Sequence, residues 1–185
     1  MILTDSISIS QSSEHVFDMV TDPTRIHEWD DTVVSVEILS RGAWGGCNQA
    51  RWVIRLGKHN LEMVETVLKH ERPTLFASKV HFIGFALSES DGTLPKNLPI
   101  NSFEHTPKAE FESFLGKGKP SALLQMEFTP TGRNAMTLRL TTDHHVGGFS
   151  RVSLWCAKYL RLKPHRKKLK MIKAGAERLS DAHDG

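Results

Sequence analysis

Hydrophobic and polar positions change period along this chain in an order that predicts its elements. Leu3, Ile7 and Ile9 alternate with Thr4, Ser6 and Ser8, which predicts a first strand over Ile2–Ile9. Ser12 or Ser13 then offers a helix N-cap, followed by Val16, Phe17 and Val20 at helical spacing. Asp22-Pro23 opens a second short helix, with Asp as cap, Pro in the first turn, and Ile26 and Trp29 as its apolar face. From Val33 to about Val80 the period returns to two. Ala50, Trp52, Ile54 and Leu56 fall on one face and Gln49, Arg51 and Arg55 on the other. Turns at 40–46 and 57–60 separate these strands, and a further strand resumes after Pro73. Later, Leu124, Met126 and Phe128 share a face, and Pro130–Asn134 turns the chain. Met136, Leu138, Leu140, Thr142 and His144 then alternate with Thr137, Arg139, Thr141 and Asp143. Strands joined by short turns predict an antiparallel meander.

The last segment reads as one long helix. Val152, Trp155, Tyr159, Leu162, Arg166, Leu169, Ile172, Ala176 and Leu179 recur at spacings of three and four, interrupted at Pro164. Residues 86–121 break the pattern. They hold four of the eight prolines and one short amphipathic stretch, capped at Thr106-Pro107, with Phe111, Phe114 and Leu115 on its apolar side.

Composition narrows the class. The 185 residues, 39% hydrophobic and 24% charged, suit one globular domain over 1–185 with 86–121 as an excursion. No apolar run reaches the roughly 18 residues of a membrane span, and the start lacks the pattern of a signal peptide. With two cysteines, Cys47 and Cys156, a cytoplasmic domain with reduced thiols is expected. The net charge of +3 is uneven, because Arg151–Arg178 holds ten Lys/Arg and a single acid, Glu177. Lys163, Lys167, Lys168 and Lys170 lie opposite the apolar seam, so a solvated outer face is the expectation, with peripheral contact to an anionic surface as the alternative. Aromatic residues do not interleave with the basic run, so no nucleic-acid partner is expected.

Several chemistries drop out. The glycines at 42, 45 and 46 lack the Lys-Ser/Thr of a phosphate-binding loop and precede a strand rather than a helix. No HExxH or paired Cys/His spacing appears, so neither metal nor cofactor is expected. Nucleophilic catalysis by Cys47 has no activating neighbour visible in the sequence. Alternation instead directs Trp52, Ile54, Val80, Phe82, Met126, Phe128, Leu138 and Leu140 toward Trp155, Tyr159 and Leu162 of the helix. Among polar groups, His144 shares the phase of Leu138 and Leu140, and Arg166 and Tyr159 fall on the seam. One of Glu62 and Glu65 points inward, and alternation leaves open which.

The order strand, two short helices, strand meander, long C-terminal helix resembles the START-like helix-grip (SRPBCC) superfamily. Val16–Val20, Asp22-Pro23 and Trp29-Asp30 are similar to its first helix pair, Val33–Leu39 with Gly45-Gly46 to its second strand and glycine-rich loop, and Glu127–Gly132 to its last hairpin. The resemblance implies an α+β fold: a curved seven-stranded antiparallel sheet around the long helix, with an apolar cavity between them. It places 86–121 between the fifth and sixth strands, as a lid over that cavity. It does not imply a reaction, since fold alone does not set function. Trp52, Ile54, Phe82, Met126, Phe128, Leu138, Leu140, His144, Trp155 and Tyr159 then become ligand-binding candidates for a hydrophobic small molecule such as a lipid, polyketide or aromatic metabolite. The alternatives are a polyketide cyclase/dehydratase-like enzyme drawing acid–base groups from His144, Tyr159, Glu62, Glu65 and Arg166, and a protein-docking module using the basic helix.

Overall fold

The computed structural model describes residues 2–43, 45–56, 59–87, 121–145 and 163–181. Strand β1 spans Ile2–Ile9, helix α1 Ser13–Thr21, and a 3-10 helix Pro23–Glu28. Strands β2 (Val33–Arg41), β3 (Cys47–Leu56), β4 (His59–Glu71), β5 (Leu75–Leu87), β6 (Ser121–Gly132) and β7 (Ala135–His145) follow, then helix α2 (Lys163–Asp181). They form one seven-stranded sheet in the order β1-β7-β6-β5-β4-β3-β2, with every neighbouring pair antiparallel. The sequence meander therefore holds from β2 to β7, and β1 returns to pair with β7.

Local chemistry sets the helix ends. Ser12 caps α1 by accepting from the His15 N–H, and Asp22 caps the 3-10 helix by accepting from the Thr24 N–H, with Pro23 in the first turn. Ala86 and Leu87 complete β5 and Ser121 opens β6, so the expected excursion is shorter at both ends; 88–120 lies outside the described residues.

The alternation settles which side of the sheet meets the helix. Met126 pairs with Leu140 and Phe76, Phe128 with Leu138, and these residues are buried with Phe17 of α1 and Leu169, Ile172 and Ala176 of α2. Phe17 stacks edge-on against Phe128 and His70, both at 4.9 Å. Trp29 anchors the junction: its Nε1 donates to the Met19 carbonyl at 3.3 Å, and the Lys168 ammonium lies 5.5 Å from its ring centre. Gly175 lets α2 approach Trp29 closely, because a Cβ there would sit 2.5 Å from the Trp29 Cβ.

One seam assignment changes. Leu169, Ile172 and Ala176 are buried as expected, but the Arg166 side chain is 75% exposed, 3.9 Å from Asp5. His165 takes the buried position and bonds Thr142 Oγ1 at 3.2 Å. At roughly 100° per residue, His165 lies within about 15° of the mean direction of Leu169, Ile172 and Ala176, and Arg166 about 90° from it. Part of the basic run is also tied into the fold. Lys173 donates to the Ser8 carbonyl and pairs with Glu177, while Arg178 donates to the Glu28 and Ala174 carbonyls. Lys167 and Lys170 are exposed.

Candidate ligand-binding site

Helix α2 packs on β1, β7 and α1, at one end of the sheet. Toward β3–β5 the same side carries a second buried group of Leu61, Val80, Phe82 and Ala122, with Ile54 and Met63 packed against it. Register places them together: Ile54 faces Leu61, Trp52 faces Met63, and Met63 faces Phe82. Ala50 faces Glu65, and Glu65 faces Val80. Directly opposed residues share a face, so this wall is apolar except where Glu65 interrupts it.

The ambiguity between the two glutamates is thereby resolved. Glu65 is on the helix-facing side, where Ser78 Oγ donates to its carboxylate at 2.5 Å. Ser78 is fully buried and sits diagonally across the β4–β5 ladder from Glu65. Glu62 is on the outer face and forms an ion pair with Arg51, whose guanidinium also approaches Glu37 at 3.6 Å. One irregularity adds Ile83 to β5 and the other adds Leu68 to β4 beyond both glutamates. Strand β4 itself alternates strictly from Leu61 to Val67, and alternation could not choose because both of its faces carry apolar residues, Leu61 and Met63 on one and Val64 on the other.

Beside Glu65 lies a second polar feature. The Trp52 indole is buried, at 8% exposure, and its Nε1–H has no hydrogen-bond partner among the described residues. A buried donor left unpaired costs about 1–3 kcal/mol. Cys47, also buried, has its thiol pushed up by burial and then by the charge of Glu65, which holds it as an unreactive thiol.

Charge on this side is one-sided. Arg51, Arg55, Lys79 and Arg139 alternate to the outer face, and Arg41 and Lys69 are exposed. Around Glu65 the described ionisable groups of β3–β5 on the helix-facing side are Cys47, with the exposed Arg41 opposite it at the sheet edge, and His70; farther off, Asp5 at the β1 edge is approached by Arg166, and His165 faces inward from α2. Burial keeps the pKa of His70 and of His165 below the ordinary histidine value, so both imidazoles are neutral near pH 7.

The candidates divide by position. Met126, Phe128, Leu138 and Leu140 sit in the packed core under α1 and α2, with Trp52 at its margin, while Phe82 belongs to the β3–β5 group and Ile54 borders both. His144 stands opposite Ala122 in β7, though its side chain, like all of Trp155 and Tyr159, lies outside the described residues. Arg166 points to solvent. Ser78, His165 and Thr142 were not foreseen. The signal for Ser78 was present, a serine between Phe76 and Val80 in the apolar phase of its strand.

Residues 2–107 match the model of the polyketide cyclase / dehydrase and lipid transport family. The chain belongs to this family. No curated protein matches the chain. Solved structures repeat the family architecture at low identity, which carries the fold alone. A START superfamily protein from Mycobacterium smegmatis superposes with a TM-score of 0.60 at 13% identity, covering 96% of this chain and 98% of that one. The Zhui aromatase/cyclase from Streptomyces sp. R1128 gives 0.61 at 11%, covering 96% and 94%. Norcoclaurine synthase from Thalictrum flavum gives 0.58 at 12%, covering 94% and 91%. The helix-grip expectation is met in fold: an open seven-stranded antiparallel sheet with a C-terminal helix, matching that START superfamily structure. No described helix is long and apolar enough to cross a membrane.

Proposed function

We propose that this protein binds a hydrophobic small molecule against the β3–β5 part of its helix-facing sheet. One observation carries the reading: an apolar wall of Leu61, Met63, Val80 and Phe82 holds a serine-bonded carboxylate and an unpartnered indole N–H. Ligand sites have this composition, apolar surface for affinity and a few placed polar groups for orientation. A ligand would offer Trp52 the acceptor that the described residues do not. Family membership supports the reading, since lipid transport and polyketide chemistry both require an apolar molecule to be held.

A cyclase or dehydratase would place Glu65 as the proton-transfer group. Its partner Ser78 is a neutral hydroxyl, which orients the carboxylate without forming the acid half of an acid–base pair. Binding is therefore the primary reading, and turnover of a recovered ligand, lost in Glu65→Gln, would promote the enzyme. The deciding experiment is organic extraction of the purified protein followed by mass spectrometry, alongside titration with the neutral fluorophore N-phenyl-1-naphthylamine. A co-purified apolar molecule, or saturable one-to-one uptake of the fluorophore, is the expected result. An empty extract together with no saturable uptake overturns it.

A further inference from the structure

We propose that Glu65 and Trp52 form a polar subsite that selects uncharged ligands presenting a hydrogen-bond donor and an acceptor, and rejects carboxylates and other anions. The inference rests on the binding reading above and adds the chemical class of what is bound. Its two halves come from different observations. The Trp52 Nε1–H is buried and unpartnered, and an indole nitrogen can only donate, so the complementary ligand atom is an acceptor such as a carbonyl or ether oxygen. The Glu65 carboxylate already accepts from Ser78 and has lone pairs remaining for a ligand hydroxyl or N–H. Trp52 faces Met63, two residues from Glu65 on the same face of β4, so the two groups are diagonal neighbours within reach of one ligand.

Rejection of anions follows from the sign of the charges. Among the described strands, the Lys and Arg residues of β3, β4 and β5 are on the outer face; Arg41, opposite Cys47 at the sheet edge, is exposed. The imidazoles of His70 and His165 are neutral, and Asp5, at the far β1 edge, is paired with Arg166. A ligand carboxylate would meet Glu65 with no cation of β3, β4 or β5 on its side of the sheet. At roughly 6 Å and an effective permittivity of about 20, the repulsion corresponds to roughly a hundredfold in affinity. A fatty alcohol, sterol or phenolic ketone is accepted on these terms, and the matching free acid is excluded.

The test uses a matched pair of probes on the intact chain. N-phenyl-1-naphthylamine and 8-anilino-1-naphthalenesulfonate share one apolar skeleton and differ by a sulfonate, and both brighten on burial. The neutral probe is expected to bind at least about tenfold more tightly at pH 7, with the difference reduced several-fold in Glu65→Gln. Trp52→Phe reads the donor independently, through a neutral naphthyl ketone whose emission moves to the red when its carbonyl accepts a hydrogen bond. In the variant its bound emission is expected to shift to the blue and its affinity to fall several-fold. Equal affinity for the two anilinonaphthalenes, or a difference unchanged by Glu65→Gln, overturns the subsite while leaving the binding reading intact. An unchanged emission in Trp52→Phe removes the donor half. Failure of every neutral probe to bind overturns the binding reading and the subsite together. Circular dichroism of both variants verifies that the fold is retained.

Discussion

Gly175→Ala isolates the contact that seats α2 on the rest of the fold. The new methyl carbon would lie 2.5 Å from the Trp29 Cβ, 3.1 Å from its Cα and 3.2 Å from the Glu28 carbonyl oxygen. Carbon pairs are most favourable near 3.5–4.0 Å, so the methyl arrives about 1 Å too close to one neighbour. Two of the three contacts are backbone, and Trp29 is further held by its bond to the Met19 carbonyl and by the Lys168 ammonium over its ring. The helix must move rather than a flexible side chain. Overpacking of this kind costs about 1–3 kcal/mol. Helix propensity opposes it, because Ala is favoured over Gly by about 1 kcal/mol inside a helix. The net is a loss of up to about 2 kcal/mol, or as much as roughly 8 °C in Tm for a domain of this size. Thermal and urea unfolding followed by tryptophan fluorescence would measure it, with Ala174→Gly as the exposed control that changes propensity alone. If Gly175→Ala raises Tm by the few degrees that propensity supplies, the close approach of α2 to Trp29 is wrong.

Three further outcomes are expected. Ile172→Ala, at a fully buried position beneath the sheet, should lose about 2–5 kcal/mol in urea unfolding, whereas Lys170→Ala on the exposed side should stay within about 0.5. Ser78→Ala removes the donor that orients Glu65 and should lower stability by about 1–2 kcal/mol; no change in the urea midpoint would mean that bond contributes nothing. The pH dependence has a definite sign. Burial holds His70, His81 and His165 below the ordinary histidine value of 6.5, so an unfolded chain binds protons there that the native one does not. Stability is then full above about pH 6.5 and declines as pH falls through the native-state values, and His165→Gln should make that decline shallower. A urea midpoint that rises between pH 7 and 5.5 would contradict this.

Legibility in the sequence varied with how directly one residue's environment follows from its own period. The strand of Met136, Leu138 and Leu140 and the helical Leu169, Ile172 and Ala176 could be read because each buries one continuous face. The exchange of Arg166 for His165 was hidden because three-four spacing counted from Leu162 admits both positions; the direction of Leu169, Ile172 and Ala176 favours His165, and Thr142 supplies its partner. The two glutamates of β4 were undecidable for a different reason, since both faces of that strand carry buried apolar residues, Leu61 on the side of Glu65 and Val64 on the side of Glu62. Ser78 and Gly175 carry their meaning in long-range partners, Glu65 and Trp29, that no local pattern names. The site was thus legible as an apolar wall and illegible as a hydrogen-bonding arrangement.

Occupancy of the β3–β5 wall by an apolar ligand can be read residue by residue from methyl carbon–proton NMR during titration with N-phenyl-1-naphthylamine. The expected result is saturable shifts at Leu61, Met63 and Val80, which line that wall, with Met136 and Ile172 in the packed core unmoved. Shifts confined to outer-face methyls such as Val53, or none at any methyl of the wall, would contradict it.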